Sequence, residues 1–462
     1  MFKQSRRDLL KSAAVITGGS TLFASGLSSL VISGSAQAAE PLSDIEKSPK
    51  SDGFTIPGEF EKQKAVWLGW PTFQWYTDPK LDTKFAIANI IQALVQESVT
   101  VQLMCTDLAG EQVIKAWFKE QGYEIGTNRF LNYVYVNPVD IWQRDFGPVF
   151  LKNRKTGKTA ISSFTQNQWG YSTTDDATSV AMSKLPFEVS KLKEFSTNEY
   201  YQTSLVSEGG DRIPNGKGTL IVCRDVEFDR NPNLSEDEIT AKLESALGVT
   251  NVIWLNSGVY EDPLAFWGPL PYAVSATETL FLYGPQTVGG HTDECARFAN
   301  ATDIILTMPT AEEAASDPIH GVNYARLQHA HRTLSAAKDQ DGNPFNIIEL
   351  PVPDLEYIEV QPDQDMYKYL ESYTYPSHAV AFPKGKPIQV VKAASYANYL
   401  VTNNTIIAPS YNSPKKDAEA KKVLSLAYPK HKVIQIDADA LNYAGGGYTV
   451  SPSINQLRHL VC

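Results

Sequence analysis

From Gly58 onward, short apolar runs alternate with stretches whose apolar residues recur every three or four positions. The runs at 65–68, 99–104, 133–136, 219–223, 252–255, 279–283, 303–308, 405–408 and 432–436 have the length and character of buried strands. Helical spacing falls at 84–97, 111–121, 235–246 and 417–427. Strands interleaved with helices predict an α/β fold. Residues 39–56 are polar and turn-rich, a lead-in rather than part of the core. No Pro/Ser linker, long charge run or low-complexity tract follows, so 39–462 is expected to be one domain. That is large for a single core. A repeated α/β module around a central site would divide it, although no repeat is visible in the sequence.

The N-terminus changes the picture. Ser5-Arg6-Arg7-Asp8-Leu9-Leu10-Lys11 precedes a mildly apolar run over 12–32, and Ala36-Gln37-Ala38 offers a small-x-small exit. A charged start, a diluted apolar stretch and a small-residue end predict a removable leader over 1–38. The paired arginine points to the twin-arginine route and a periplasmic or secreted protein. An ordinary Sec signal and an uncleaved anchor are the alternatives. The chain carries a net charge of −11, and 1–38 hold four basic residues and one acid, so the remainder stands at −14 (−11 − 3). That balance argues against nucleic acid or an anionic membrane as partner and suits a small cationic substrate. Beyond the leader there is no apolar run of the roughly 18 residues a membrane-crossing helix needs.

Four cysteines, Cys105, Cys223, Cys295 and Cys462, show no metal-ligand spacing. Two of them, Cys105 and Cys223, end apolar runs and read as core thiols.

Polar residues gather among Gly, Pro and aromatics in four places: 140–148, 208–211, 289–298 and 444–448. A guanidinium is planar, permanently charged and rich in donors, so paired carboxylates satisfy it best and an aromatic face can cover it. An extended chain over His291-Thr292-Asp293 would put His291 and Asp293 on one side, with Cys295 following if the strand continues. A histidine beside carboxylates keeps its proton, which suits an acid that protonates a leaving amine and then activates water. The glycines before His291 and at 445–447 would let a ligand approach the backbone. Each segment has a plainer reading. Arg144-Asp145 can be a surface ion pair, Glu208–Asp211 a simple turn, His291 a structural histidine and Trp142 a core residue. Their joint occurrence favours a site.

With these segments in view, the chain resembles the agmatine deiminase family, which includes the bacterial peptidylarginine deiminases. The likeness runs in order through Ile56-Pro57-Gly58-Glu59-Phe60-Glu61, Val66-Trp67-Leu68-Gly69-Trp70-Pro71, 142–148, 208–211, Asn231-Pro232-Asn233, 290–298, Ser395-Tyr396-Ala397-Asn398 and the glycines at 445–447. It implies a pentein-like, five-bladed α/β propeller of ββαβ-type modules around a central pocket. It further implies hydrolysis of a guanidine, agmatine or arginine in peptides, to a ureido group with release of ammonia and no metal or cofactor. By position, Asp145 and Asp293 would hold the guanidinium, His291 would be the general acid/base, and Glu208 would steady it. Trp142, Arg144, Asn398, Gly446 and Gly447 would bind substrate. The family's nucleophilic cysteine falls at Ser451 in this chain, with Val450 before it where a histidine is usual. A thiol could come instead from Cys295, from Cys462 folding back, or from an altered reading of the 3′ end. Without one, the resemblance implies a relative that binds a guanidino compound and does not turn it over.

Overall fold

The computed structural model describes residues 47–196 and 198–447. The leader, Ser451 and Cys462 therefore lie outside the described residues. Among the described residues, strands group into five three-stranded sheets and one of four strands. The first sheet, β1 (Val66–Gly69), β2 (Val101–Cys105) and β3 (Leu131–Tyr135), is parallel throughout. The next two are β4 (Val149–Lys152), β5 (Thr159–Thr165), β6 (Glu199–Val206) and β7 (Ile213–Pro214), β8 (Thr219–Cys223), β9 (Asn251–Leu255). The four-stranded sheet holds β10 (Leu270–Ala273) and β11 (Thr279–Tyr283), together with β15 (Tyr357–Val360) and β16 (Ile388–Val391). The last two are β12 (Ala296–Phe298), β13 (Asp303–Thr307), β14 (Asn346–Leu350) and β17 (Leu400–Val401), β18 (Thr405–Ser410), β19 (Lys432–Asp437).

The second to fifth of the three-stranded sheets share one wiring. An antiparallel first pair leads to a parallel second pair. Helical crossovers join that parallel pair: Ala177–Ser190 in the first case, then Glu236–Leu247, Pro318–Ala336 and Pro414–Ala427. The module thus repeats in geometry where the sequence showed no repeat. A central strand flanked by helices is covered on both faces, which is why Val101–Cys105, parallel to both neighbours, and Thr219–Cys223, parallel to one, are buried at every position. The helix Thr83–Gln96 starts where the Asp82 side chain accepts the Lys84 amide, and it buries Ile87, Ile90, Ile91 and Leu94 against β2, β18 and β19. In Glu236–Leu247, Ser235 and Glu238 form a reciprocal capping box and Gly248 ends the helix in the left-handed region at φ 65°.

The wiring positions the site. Asp145 precedes β4, 208–211 precede β7, 291–294 precede β12, and Asn398 precedes β17. Each segment is the entry to a module's short antiparallel strand.

Candidate active site

Asp145 sits in the one-turn helix Gln143–Phe146, just after Trp142. Its side chain turns inward, where Oδ1 accepts the Gly210 amide at 2.9 Å and Oδ2 accepts the Trp169 indole N–H at 2.8 Å. The surface-pair alternative fails, because Arg144 turns away from its neighbour to pair with buried Glu59. Trp169 reaches Asp145 from a backbone at φ 55°, next to Gln168 at φ 54°. A bulky residue in the left-handed region is strained, and the bond to Asp145 is what that strain secures.

His291 lies between two carboxylates. Its Nδ1 is 3.9 Å from Asp145 Oδ1 and its Nε2 is 3.4 Å from Glu208 Oε2. Glu208 is in turn gripped by Arg230 Nε at 2.9 and 3.2 Å, and neither side chain is exposed. Burial alone would lower the imidazole pKa, yet Asp145, Glu208 and Asp293 outweigh it and push His291 up to about 10. Burial would raise Glu208, but Arg230 and His291 hold it down at about 2. The site therefore carries an imidazolium at neutral pH. Gly210 makes the convergence possible. A Cβ there would fall 2.4 Å from His291 Nδ1 and 3.0 Å from both Asp145 Oδ1 and Asp293 Oδ2.

The segment after His291 is not extended. Thr292–Glu294 form a 3-10 turn, with the Asp293 amide donating to Gly210 O at 3.0 Å. Two buried acids impose this turn. Asp262 accepts the amides of Val288, Gly290 and His291, and Asp211 accepts the amide and hydroxyl of Thr292. The turn still puts His291 and Asp293 on one side, by a different geometry from the expected strand. Cys295 does not join them. Its thiol donates to Thr292 O at 3.4 Å, and it packs among Ala296, Phe298 and Leu306. Burial, reinforced by Asp211, Asp293 and Glu294, pushes that thiol's pKa far up. Cys105 and Cys223 are buried free thiols, as the apolar runs predicted. Among the described residues, no thiol lines the cleft.

The cleft encloses about 440 Å³ of atom-free space, its mouth included. Trp142, Arg144, Asp145, His291, Asp293, Asn398, Gly446 and Gly447 all line it, so eight sequence candidates converge, and Glu208 stands directly behind His291. The glycines let neighbouring side chains close in on the cleft. A Cβ on Gly446 would strike the Trp142 ring at 2.6 Å, and one on Gly447 would strike Asn398 at 2.8 Å. Gly290, at φ 96°, abuts the backbone of Gly258. Two buried carboxylate oxygens at the cleft, Asp293 Oδ2 and Glu294 Oε2, have no hydrogen-bond partner. Burial raises both acids above their ordinary pKa. Among the described residues, no group of three or more His, Cys, Asp or Glu is placed to hold a metal ion.

Trp169, Arg230 and Glu294 were missed as site residues. Glu294 was inside a recognised segment, and Arg230 directly precedes Asn231-Pro232-Asn233; Trp169 carries no comparable signal.

The cleft thus sets a buried imidazolium beside two acids, Asp293 and Glu294, each with one carboxylate oxygen that lacks a hydrogen-bond partner. The family profile for Porphyromonas-type peptidyl-arginine deiminases matches residues 55–265 and 274–450, and the chain belongs to this agmatine and peptidylarginine deiminase family. It is 27% identical to an agmatine deiminase of Pseudomonas aeruginosa over 416 residues, covering 88% of this chain and 96% of the relative. An agmatine deiminase of Medicago truncatula is 27% identical over 418 residues, covering 87% and 96%. The solved structure of Enterococcus faecalis agmatine deiminase superposes with a TM-score of 0.66 at 22% identity, over 88% of this chain and 97% of that one. That likeness establishes the shared mixed α/β fold.

Proposed function

We propose that this chain hydrolyses a guanidino group to a ureido group with release of ammonia. The observation that carries the reading is the pair of inward acids, Asp145 and Asp293, facing the His291 imidazolium across Gly210. A guanidinium seated there donates to both carboxylates in its plane. A water bonds to the guanidino carbon and passes one proton to a site carboxylate. His291 gives its proton to the nitrogen as that nitrogen departs, and the neutral imidazole then takes a proton from the new hydroxyl. One C–N bond breaks, a C–O bond forms from water, and the nitrogen leaves as ammonium. Glu208, clamped by Arg230, holds the imidazole in register. Trp142 covers the flat face. The substrate is agmatine or a peptidyl arginine, in keeping with the agmatine deiminases and the peptidyl-arginine deiminase family that the chain matches.

Guanidino binding without turnover is favoured by one specific feature, Ser451 at the position the resemblance gives to the nucleophilic cysteine. A hydroxyl is a far weaker nucleophile than a thiolate. Incubating purified protein with agmatine, arginine and an arginine peptide while following ammonia separates the two readings. Hydrolysis predicts ammonia from at least one of them. No ammonia from any, with binding that Asp145→Ala abolishes, would leave binding alone.

The repeated module supports a five-bladed propeller with the cleft at its hub, since four site segments enter equivalent strands. Arg6-Arg7 before the apolar run supports export by the twin-arginine route. Retention of an Arg6→Lys/Arg7→Lys variant in the cytoplasm, with export of the parent, would bear out that reading.

A further inference from the structure

The torsion that turns a carboxylate about its Cβ–Cγ bond is soft and broad, so a single hydrogen bond leaves the plane of an acid free to swing. Asp145 takes donors on both oxygens, from two different segments. Oδ1 accepts the Gly210 amide and Oδ2 accepts the Trp169 indole N–H. Together the two donors define the plane. Each oxygen keeps a second acceptor position, and a guanidinium fork engages a carboxylate best through both oxygens in one plane.

The second donor is held at a cost in backbone strain. Gln168 and Trp169 are consecutive residues in the left-handed region, at φ 54° and 55°. The Gln168 side chain donates to Asp176 Oδ1 at 2.7 Å and Ser179 Oγ at 3.3 Å, at the start of the helix Ala177–Ser190. Before it, the Gln166 amide donates to Ser183 Oγ at 2.9 Å, and Asn167 Oδ1 accepts the Gly170 amide at 2.9 Å. The loop is tied down on both sides of the strained step. Trp169 itself is 6% exposed, meets the Phe146 ring edge-on at 6.3 Å between centres, and lines the cleft. A phenylalanine would satisfy that ring contact. Only the indole N–H reaches Asp145.

We propose that Trp169 is a positioning residue that sets the Asp145 carboxylate plane and so gives the cleft its preference for a planar guanidinium over a compact ammonium. This deepens the proposed function and rests on its guanidinium seat. An ammonium is a point charge with rotatable donors, indifferent to the plane of the acid beside it. A guanidinium carries its donors in a fixed fork and is not.

Calorimetric titration of the full chain with agmatine and with putrescine tests this. The two share an aminobutyl tail, and putrescine carries an ammonium in place of the guanidinium. Trp169→Phe keeps the ring beside Phe146 and removes the N–H. It is expected to weaken agmatine about tenfold or more while leaving putrescine within about twofold. Equal weakening of both ligands would mark a purely structural residue, and unchanged agmatine binding would leave the indole without a role. Either result overturns the assignment. A second readout needs no ligand. In protein labelled with nitrogen-15 at its indoles, the proton resonance that Trp169→Phe removes should move upfield in Asp145→Asn, as the charged acceptor is lost. A resonance that ignores Asp145→Asn would also overturn the assignment. If the parent binds neither ligand while that resonance responds, the guanidinium seat has failed, and with it the preference assigned to Trp169.

Discussion

Two buried acid clusters lie close together in this molecule, and only one is complete. Glu59 is paired by Arg144 and Arg297, one arginine to each oxygen. Arg297 is further satisfied by the carbonyls of Ala397 and Tyr399 at 3.2 and 3.0 Å, and its guanidinium lies 4.7 Å from the Tyr399 ring centre. Burial would raise Glu59, but the two arginines win and its pKa falls. At the cleft, burial wins instead. Asp293 feels His291, Arg144 and Arg297, yet its pKa and that of Glu294 both rise. The Glu59 cluster contains its cations within the chain and is structural. The cleft has acids in excess, and the difference is what the guanidinium ligand proposed above would supply. Arg144 links the two, since its anchoring on Glu59 frees Asp145 to face the site.

Substitution should separate the clusters most sharply. Asp293→Asn is expected to lower kcat/KM by at least about 10²–10³-fold, the scale of a lost charge-stabilising contact, while leaving urea-unfolding stability unchanged or higher. Glu59→Gln leaves two buried arginines without their carboxylate and should cost about 3–5 kcal/mol of stability in the same unfolding assay. If Asp293→Asn destabilised as much as Glu59→Gln, the contrast would collapse.

A pH series sharpens the comparison. His291 stands at about 10 in the folded chain, above its ordinary value of roughly 6.5. Its contribution to stability is thus complete below about pH 6.5 and is lost as pH rises through about 10. His291→Gln should remove that component of the alkaline decline from denaturant curves taken across this range. In the parent, turnover should also fall as the imidazolium loses its proton near pH 10. An alkaline decline identical in the two proteins would contradict the assignment. The smallest effect belongs to Cys295→Ala. Buried and turned from the cleft, it should cost about 1 kcal/mol of stability and leave kcat within about twofold. A large loss of turnover would restore Cys295 as a nucleophile.

Much of this was legible in the chain, for reasons that differ by region. All nine apolar runs proved to be strands, and all four helical spacings proved to be helices within a few residues. What escaped was polar or interrupted. β5 reads Thr-Ala-Ile-Ser-Ser-Phe-Thr, with Ser163 bonded to Ser183 O inside the fold, and Ala177–Ser190 carries Pro186 within the helix. Pro318–Ala336 mixes three histidines into its turns and shows little apolar periodicity. In the site, Asp145, His291 and Asp293 stood out because polar residues gathered near glycines are poor core material, whereas Asn398 came only with the family resemblance. Trp169 and Arg230 did not, because a tryptophan or an arginine looks the same on the page whether it packs or holds a carboxylate. The 3-10 turn at Thr292–Glu294 was also hidden, since Asp211 and Asp262, which impose it, come from distant segments.

Carbon-13 NMR of agmatine labelled at the guanidino carbon reads binding and turnover in a single sample. The complementary cleft described above predicts a guanidino resonance that broadens on adding the protein and converts to a ureido resonance, with one ammonium released per molecule, and neither change with Asp293→Asn. A sharp, unshifted guanidino signal in the presence of the parent protein would show that the acids at this cleft do not hold a guanidinium.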